Sequence, residues 1–384
     1  MNIVVFGAGL VGSAIIHDLC SEPAFSVTAV DIDQSVLDRL AGHERLLRLR
    51  EDLSDPELVR RIAASFDIAV GAVPGMLGYQ VLRAVIEAGT DIVDISFSPE
   101  DPFTLDRCAT EGGVTAIVDC GIAPGCSNAL LGHARSMLDR VHRFACYVGG
   151  LPLVRRKPWE YSAVFSPSDV IEEYTRPARL VENGKVITMP ALTGVEEIEI
   201  EGLGTLEAFN TDGLRTLLVT IDAENMVEKT LRYPGHAQLL RVFRDAGFFR
   251  KEPIDINGKP IRPLDVTSAL LFPLWKRREE EEDLTVMHVM VEGEKNGSPL
   301  RFTYDLLDRY DKRTRTTSMA RTTGYTCSVA VRMVAEGIYR RVGISPPEYI
   351  GADAAAYAFL TRGLRERSII FHEKLESPER WEKP

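Results

Sequence analysis

The 384-residue sequence is poor in the features that mark out several whole classes of protein. Its six cysteines, Cys20, Cys108, Cys120, Cys126, Cys146 and Cys327, are scattered and never spaced as CxxC. They offer no disulfide framework and suggest a reducing cytoplasm. No apolar run approaches the roughly 20 residues that a membrane-spanning helix needs. The uncharged window Ile68–Leu82 is too short and is broken by Pro74, three glycines and Gln80. Positive charge is scarce as well, since 45 Lys and Arg against 56 Asp and Glu leave a net charge of −11. That is a poor match to the dense basic surface on which nucleic-acid binding depends. Met1 runs directly into a strand pattern with no basic leader and no cleavage site, so no secretory signal is expected. The histidines, His17, His43, His133, His142, His236, His288 and His372, form no HExxH motif and no i,i+4 pair, so no metal site is expected. Nucleophile-elbow, P-loop and kinase motifs are missing too. Disorder is excluded by a 45% apolar content. What remains is a water-soluble cytoplasmic enzyme of two or three domains.

The first 120 residues alternate short apolar runs with helical patterns. Strands are expected at Ile3–Phe6, Val27–Val30, Ile68–Val73, Ile92–Ile95 and Thr115–Val118. Helices are expected at Leu10–Leu19, Asp33–Leu40, Asp55–Ser65, Gly78–Ala88 and Pro102–Glu111, with Asp55 capping the third ahead of Pro56. This rhythm is that of βαβ units around a parallel sheet. From about His142 a period of two takes over, as in Val195–Ile200. Asn183-Gly184 links Ala178–Val181 to Val186–Thr188, and Glu294-Lys295-Asn296-Gly297 links Leu284–Glu292 to Arg301–Leu306, both hairpin signals. An antiparallel α+β domain is therefore expected in the middle of the chain. Lys276–Asp283, three basic then five acidic residues, reads as a solvated helix face or exposed loop. Thr326–Tyr339 and Ala352–Arg367 are helical, and the last dozen residues are polar and expected to fray.

Gly7-Ala8-Gly9-Leu10-Val11-Gly12 is a G-x-G-x-x-G segment between the first strand and the first helix. Gly7 permits the tight turn, Gly9 lets a pyrophosphate approach the backbone, and Gly12 allows close helix–strand packing. The helix N-terminus offers free N–H groups and positive dipole to the phosphates. Asp31 ends the second strand 19 residues after Gly12, where an acid binds the adenosine ribose hydroxyls. A carboxylate there repels a 2′-phosphate, and no Arg or Lys follows before Arg39, so NAD is expected over NADP. Ile32, Asp52, Val73 and Pro74 are expected to border the cofactor crevice with Leu10 and Val11.

Asp119-Cys120-Gly121-Ile122-Ala123-Pro124-Gly125 resembles the D/E-x-G-x-x-P-G turn of saccharopine-reductase-like enzymes. Gly149-Gly150-Leu151-Pro152 is similar to their GGLP segment, and Thr230-Leu231-Arg232-Tyr233-Pro234-Gly235-His236 to their TLRYxG segment. The resemblance extends over nearly the whole chain, Ser318–Gly337 included. With Asp119–Asn128, Glu207–Gly213 and Glu228-Lys229-Thr230 it looks most like the NAD-dependent branch of that family that oxidises L-lysine at its ε-carbon. The resemblance implies a Rossmann NAD-binding domain, residues 1–125 and 318–384, completed by C-terminal helices. It also implies an inserted substrate-binding and oligomerisation domain, residues 126–317. The implied partners are a small amino-acid substrate and further copies of the chain. The implied products are 2-aminoadipate 6-semialdehyde, ammonia and NADH. A saccharopine or carboxynorspermidine dehydrogenase of the same fold is the alternative, and a non-catalytic NAD-binding sensor a second.

Hydride leaves an amine-bearing carbon only when nitrogen can donate its lone pair. The lysine ε-amine titrates near 10.4, so deprotonating it near neutrality costs roughly 4 kcal/mol. Asp94 and Asp119, each ending a parallel strand, are candidates for the general base or for the acceptor of an amine, or else cap the turns that follow. Arg232, from the TLRY segment, is the candidate for the α-carboxylate. Asn210, Thr211 and Asp212 either contact substrate or cap a helix at Gly213–Leu218. His236 is a candidate proton shuttle, or a structural residue in a helix's first turn. Tyr161 is a candidate pocket wall. Cys120, beside Asp119, either takes part or is a small buried hydrophobe.

Overall fold

The computed structural model describes residues 1–40, 42–163, 167–278 and 281–377. The chain divides into two units, Met1–Asp139 with Met319–Ile370, and Arg140–Ser318 with Phe371–Pro384. Residues 378–384 of the expected frayed end, and Glu279 and Glu280 of the acidic run, lie outside the described residues.

The first unit is built on a seven-stranded parallel sheet. Numbered along the chain, its strands are β1 (Asn2–Phe6), β2 (Ser26–Asp31), β3 (Leu46–Arg50), β4 (Ile68–Gly71), β5 (Asp91–Asp94), β6 (Thr115–Ile117) and β17 (Gly343–Ser345). They lie in the order β17-β6-β5-β4-β1-β2-β3, every neighbouring pair parallel. β1 is flanked by β2 and β4, so the order reverses there, and a ligand crevice opens at such a switch point beyond the strands' carboxyl ends. Ile3, Val4, Val5 and Phe6 are fully buried, as expected of strands covered on both faces. The connecting helices are α1 (Leu10–Cys20), α2 (Gln34–Arg39), α3 (Pro56–Ala63), α4 (Gly75–Glu87) and α5 (Asp106–Glu111). Asp55 caps α3 through the N–H groups of Glu57 and Leu58, as its place before Pro56 implies.

Two features of this unit depart from expectation. β3, at the exposed sheet edge, reads Leu-Leu-Arg-Leu-Arg and is not among the expected strands, although Leu47–Arg50 alternates with a period of two. The domain boundary also moves, because α6 (Cys126–Met137) belongs to the first unit rather than the inserted one. It crosses α12 (Pro347–Ala352) at close range. A Cβ on Gly132 would overlap the carbonyl oxygen of Glu348, and one on Gly351 that of Ala129. With α11 (Ser318–Ala335) and α13 (Ala354–Glu366), these C-terminal helices complete the unit as expected.

The second unit carries a nine-stranded sheet. Its strands are β7 (Arg140–Pro152), β8 (Ala178–Glu182), β9 (Lys185–Met189), β10 (Glu196–Ile200), β11 (Gly204–Asn210), β12 (Ala223–Arg232), β15 (Asp283–Lys295), β16 (Ser298–Arg309) and β18 (His372–Glu376). The main order is β10-β11-β12-β7-β15-β16-β18, with β8 on β12 and β9 on β8. The sheet is mixed rather than purely antiparallel, since β7 and β12 run parallel. The turns at Asn183-Gly184 and Asn296-Gly297 both place two residues at positive φ, as the hairpin signal requires. β13 (Ile254–Ile256) and β14 (Lys259–Ile261) form a separate hairpin through Asn257-Gly258. Helices α7 (Pro167–Thr175), α9 (His236–Asp245) and α10 (Pro263–Trp275) share a core with Phe209 of β11.

β18 pairs with β16, so the end of the described chain returns to the second unit instead of finishing the first. The acidic run is also not wholly solvated. Glu281 and Asp283 are buried, Glu281 taking Nη1 of Arg156 at 2.7 Å and Asp283 the backbone N–H of Ser318 at 2.8 Å. The helix expected at Gly213–Leu218 is the short α8 (Leu217–Thr220). Among the described residues no helix is long and apolar enough to cross a membrane.

Candidate functional site

In the first unit the glycine segment sits at the carboxyl end of β1. Gly7 adopts φ 95°, and a Cβ there would overlap the carbonyl oxygen of Ala72 beyond β4. A Cβ on Gly12 would overlap the carbonyl oxygen of Gly7. Gly9 caps α1 with nothing within 4 Å of where its Cβ would stand, which leaves open space over the helix N-terminus. The three glycines thus make one tight turn, one close contact and one vacant approach, and this cradle fits a dinucleotide pyrophosphate. Asp31 Oδ2 accepts the N–H of Ala8 at 2.8 Å and Oδ1 that of Asp33 at 2.9 Å. The acid therefore holds the glycine turn and the β2 exit loop together. Leu10 and Ile32 stand 45% and 58% exposed at this edge, free to line an adenosine. Val11 is half-buried, Val73 is buried, and Pro74 is exposed as the cap of α4. Asp52 is exposed and accepts the N–H of Ser54 at 2.9 Å. Arg50, which belongs to no motif, ends β3 in register with Asp31.

A second group gathers at the ends of β5 and β6. Asp94, Asp119 and Cys120 are all buried, and the N–H of Cys120 donates to the carbonyl oxygen of Asp94 at 2.9 Å. The Asp94 carboxylate accepts the Ser96 hydroxyl at 2.8 Å. It also lies where a Cβ on Gly71 would stand, so that glycine makes its room. Asp119 is left-handed at φ 54°, an uncommon conformation that turns the chain sharply off β6. Burial pushes the Cys120 thiol well up, and nearby Cys126, Asp94 and Asp119 push it further. Cys120 is thus a protonated thiol, in keeping with the buried-hydrophobe alternative.

The second unit brings together three of the expected residues. Arg232 is buried at the end of β12, with Nη2 on Glu173 Oε2 at 2.7 Å and Nη1 on the carbonyl of Leu231 at 2.9 Å. Its guanidinium carbon lies 4.8 Å from the ring centroid of Tyr161. Tyr161 in turn meets Trp275 edge-on at 5.5 Å. Three donors on these touching side chains, Arg232 Nε, Tyr161 Oη and Trp275 Nε1, are buried with no hydrogen-bond partner among the described residues. Buried donors are nearly always satisfied, so this set calls for a ligand rich in acceptors. Burial raises the Tyr161 phenol well above its ordinary range, which keeps it a donor.

His236 opens α9 in the same cluster, but not as a proton shuttle for the neutral range. Its Nε2 lies 2.9 Å from Tyr174 Oη and its Nδ1 3.1 Å from the carbonyl oxygen of Trp159. Burial first, then the Arg232 charge, lowers it to about 3. It is a neutral structural donor–acceptor. Asn210, Thr211 and Asp212 are buried, but they do not act as one polar loop. Asp212 accepts Nε and Nη2 of Arg179, both at 2.8 Å, and Thr211 Oγ1 lies 3.1 Å from Thr230 Oγ1. α8 is capped at Thr216 instead, so the helix-cap alternative fails as well. Glu173 and Trp275 were invisible to motif reading, because only the packing of α7 and α10 carries them to Arg232.

Comparison with known proteins places these features in context. The saccharopine dehydrogenase NADP binding domain matches residues 3–117, and the saccharopine dehydrogenase C-terminal domain matches residues 121–370. The saccharopine dehydrogenase (NADP(+), L-glutamate-forming) of Saccharomyces cerevisiae is 24% identical over 74% of this chain and 66% of its own length. The chain spans only 30% of the mouse alpha-aminoadipic semialdehyde synthase, at 23% identity. The carboxyaminopropylagmatine dehydrogenase of Synechocystis is 21% identical, with 98% of each chain covered. The apo structure of the Saccharomyces cerevisiae saccharopine dehydrogenase shares the fold, with a TM-score of 0.75, 18% identity, and 98% and 99% of the two chains covered.

Proposed function

Because the chain belongs to the saccharopine dehydrogenase family, we propose that it is a nicotinamide-dependent oxidoreductase that oxidises L-lysine at the ε-carbon with NAD. The products would be 2-aminoadipate 6-semialdehyde, which cyclises to a piperideine carboxylate, with ammonia and NADH. The observation that carries this reading is the set of orphaned buried donors on Arg232, Tyr161 and Trp275. A carboxylate is the acceptor-rich group that satisfies them, and Arg is the side chain that best binds one. Glu173, 2.7 Å from Arg232, supplies the acceptor for an α-ammonium group. Together they suit the head of an α-amino acid.

The NAD site is assigned to Gly7, Gly9, Leu10, Val11, Gly12, Asp31, Ile32, Asp52, Val73 and Pro74. Held by these residues, NAD would supply the hydride acceptor for the substrate carbon. Asp31 supports NAD over NADP by repelling a 2′-phosphate, although the matched nucleotide domain and the yeast relative carry NADP in their names. Asp94 or Asp119 takes the ε-ammonium proton and later serves the water that attacks the imine. His236 fixes Tyr174 and the Trp159 backbone, and so positions the wall beside Arg232. Homo-oligomers are part of the proposal. Val242, Phe248, Val266, Leu270 and Leu274 are apolar and exposed on α9, α10 and the segment between them. Phe248, Val266 and Leu270 line a cavity of about 230 Å³ together with Phe243, Ile254 and Ile261.

The Synechocystis relative, covered over 98% of both chains, favours a secondary amine as the alternative substrate. Purified protein should produce NADH from NAD⁺ and L-lysine at about pH 9–10, near the amine's own titration. Turnover with saccharopine but not lysine would transfer the assignment to the alternative. Binding of NADH with no turnover of any amine would leave the sensor. Arg232→Ala should raise the KM for lysine by about tenfold or more, with a smaller change in kcat. An unchanged KM would remove Arg232 from the carboxylate role.

A further inference from the structure

The nucleotide edge of the first unit holds a cation that the ribose-binding acid does not account for. Arg50 stands beside Asp31 in the parallel register of β2 and β3. Its Nε donates to the carbonyl oxygen of Ile32 at 3.1 Å, so the guanidinium reaches over the loop that leaves β2. That is its one hydrogen bond among the described residues, and both terminal Nη groups are left over. Of the other cations nearby, Arg48 lies 4.0 Å from Asp38 and donates to the carbonyl of Leu37, while Arg39, on α2, donates through Nε to the carbonyl of Ser35 and is not in register with Asp31. Three carboxylates around the loop, Asp31, Asp33 and Asp52, accept backbone N–H groups. Asp33 caps α2 through Ser35, Asp52 holds Ser54, and Asp31 holds Ala8 and Asp33.

We propose that Arg50 is a latent reader of the adenosine 2′-phosphate, held in check by Asp31. The proposal rests on the nucleotide-site reading above and deepens it. A 2′-hydroxyl can donate to Asp31, whereas a 2′-phosphate has only acceptors and negative charge to offer. Beside Asp31 it is repelled, and beside Arg50 it meets the planar fork that binds phosphate best. Discrimination between NAD and NADP at this site therefore turns on one carboxylate. Its neutralisation opens the pocket to the phosphate without any new cation.

Calorimetric titration of the full chain with 5′-AMP and with adenosine 2′,5′-bisphosphate tests this without turnover. Asp31→Asn keeps an oxygen acceptor for the Ala8 N–H and removes the charge. It should raise affinity for the bisphosphate about tenfold relative to 5′-AMP. Adding Arg50→Ala should abolish that gain and leave 5′-AMP within about twofold. No gain in Asp31→Asn, or a gain that survives loss of Arg50, overturns the proposal. Arg50→Ala alone should weaken the bisphosphate about threefold and spare 5′-AMP. Equal effects on both ligands count against it. Failure of the unaltered chain to bind 5′-AMP at all would overturn the nucleotide site itself, and this inference with it.

Discussion

His236 stays neutral across roughly pH 5 to 9, because burial and the Arg232 charge both oppose its protonation. The unfolded imidazole titrates at its ordinary value of about 6.5. Below that value the unfolded chain takes up a proton that the folded chain refuses until about 3. The stability associated with neutral His236 is thus complete above pH ~6.5 and is lost as the pH falls. The slope is at most about 1.4 kcal/mol per pH unit. In urea titrations between about pH 6 and 4, His236→Gln should lose stability with acid less steeply than the parent chain, by up to that amount. Equal slopes would show that the imidazole charges freely in the folded protein. The residue type alone suggested a neutral-range shuttle, and only the two ring contacts and the burial revise it. Asp212 teaches the same lesson, since its bidentate partner Arg179 lies on β8, 33 residues earlier, and no local pattern links them. Gly7, Gly9, Gly12 and Asp31 were legible because they recur at a fixed spacing within one β1–α1–β2 unit.

Elements built from adjacent residues could be read directly, and those built from distant ones could not. The Asn183-Gly184 and Asn296-Gly297 hairpins follow from turn chemistry, since both residues of each turn adopt positive φ. Asn257-Gly258 carries the same signal, and β13 and β14 follow from it. β3 escaped although Leu47–Arg50 alternates, because so short an alternation on an exposed edge buries neither face. α6 was assigned to the wrong unit because its neighbour α12 comes more than 200 residues later, and Gly132 and Gly351 reveal the crossing only when the helices are seen together. This gives a prediction at the level of the crossing. Gly351→Ala puts a Cβ onto the carbonyl oxygen of Ala129, where backbone must move, and should cost about 3 kcal/mol. Gly184→Ala meets open space and suffers only from its positive φ of 73°, so about 1 kcal/mol is expected. Denaturant midpoints measure both, and a Gly351 variant no worse than the Gly184 variant would mean the crossing relaxes without strain.

Across the whole molecule, both units are discontinuous in sequence. The first closes with α11–α13 and β17, and the second with β18, so the chain passes from one unit to the other three times. Family resemblance implied the first closure, but nothing in the polar sequence around His372–Glu376 announced the second. β18 contributes its backbone to β16 over five residue pairs, Arg301↔Glu376 to Asp305↔His372, and adds no buried apolar side chain. A chain ending at Ile370 should therefore keep its nucleotide affinity within about twofold, since the glycine turn, Asp31 and Arg50 all lie in the first unit. Its second unit should lose about 1–3 kcal/mol from the vanished edge pairing. Tryptophan fluorescence isolates that loss. The sequence has three tryptophans, and the truncation removes Trp381, leaving Trp159 and Trp275, both in the second unit. The fluorescence midpoint in urea should fall while titration with 5′-AMP is unchanged. An unmoved midpoint would show that the strand adds nothing to the sheet it edges, and weakened 5′-AMP binding would show that residues 371–384 serve the nucleotide unit instead.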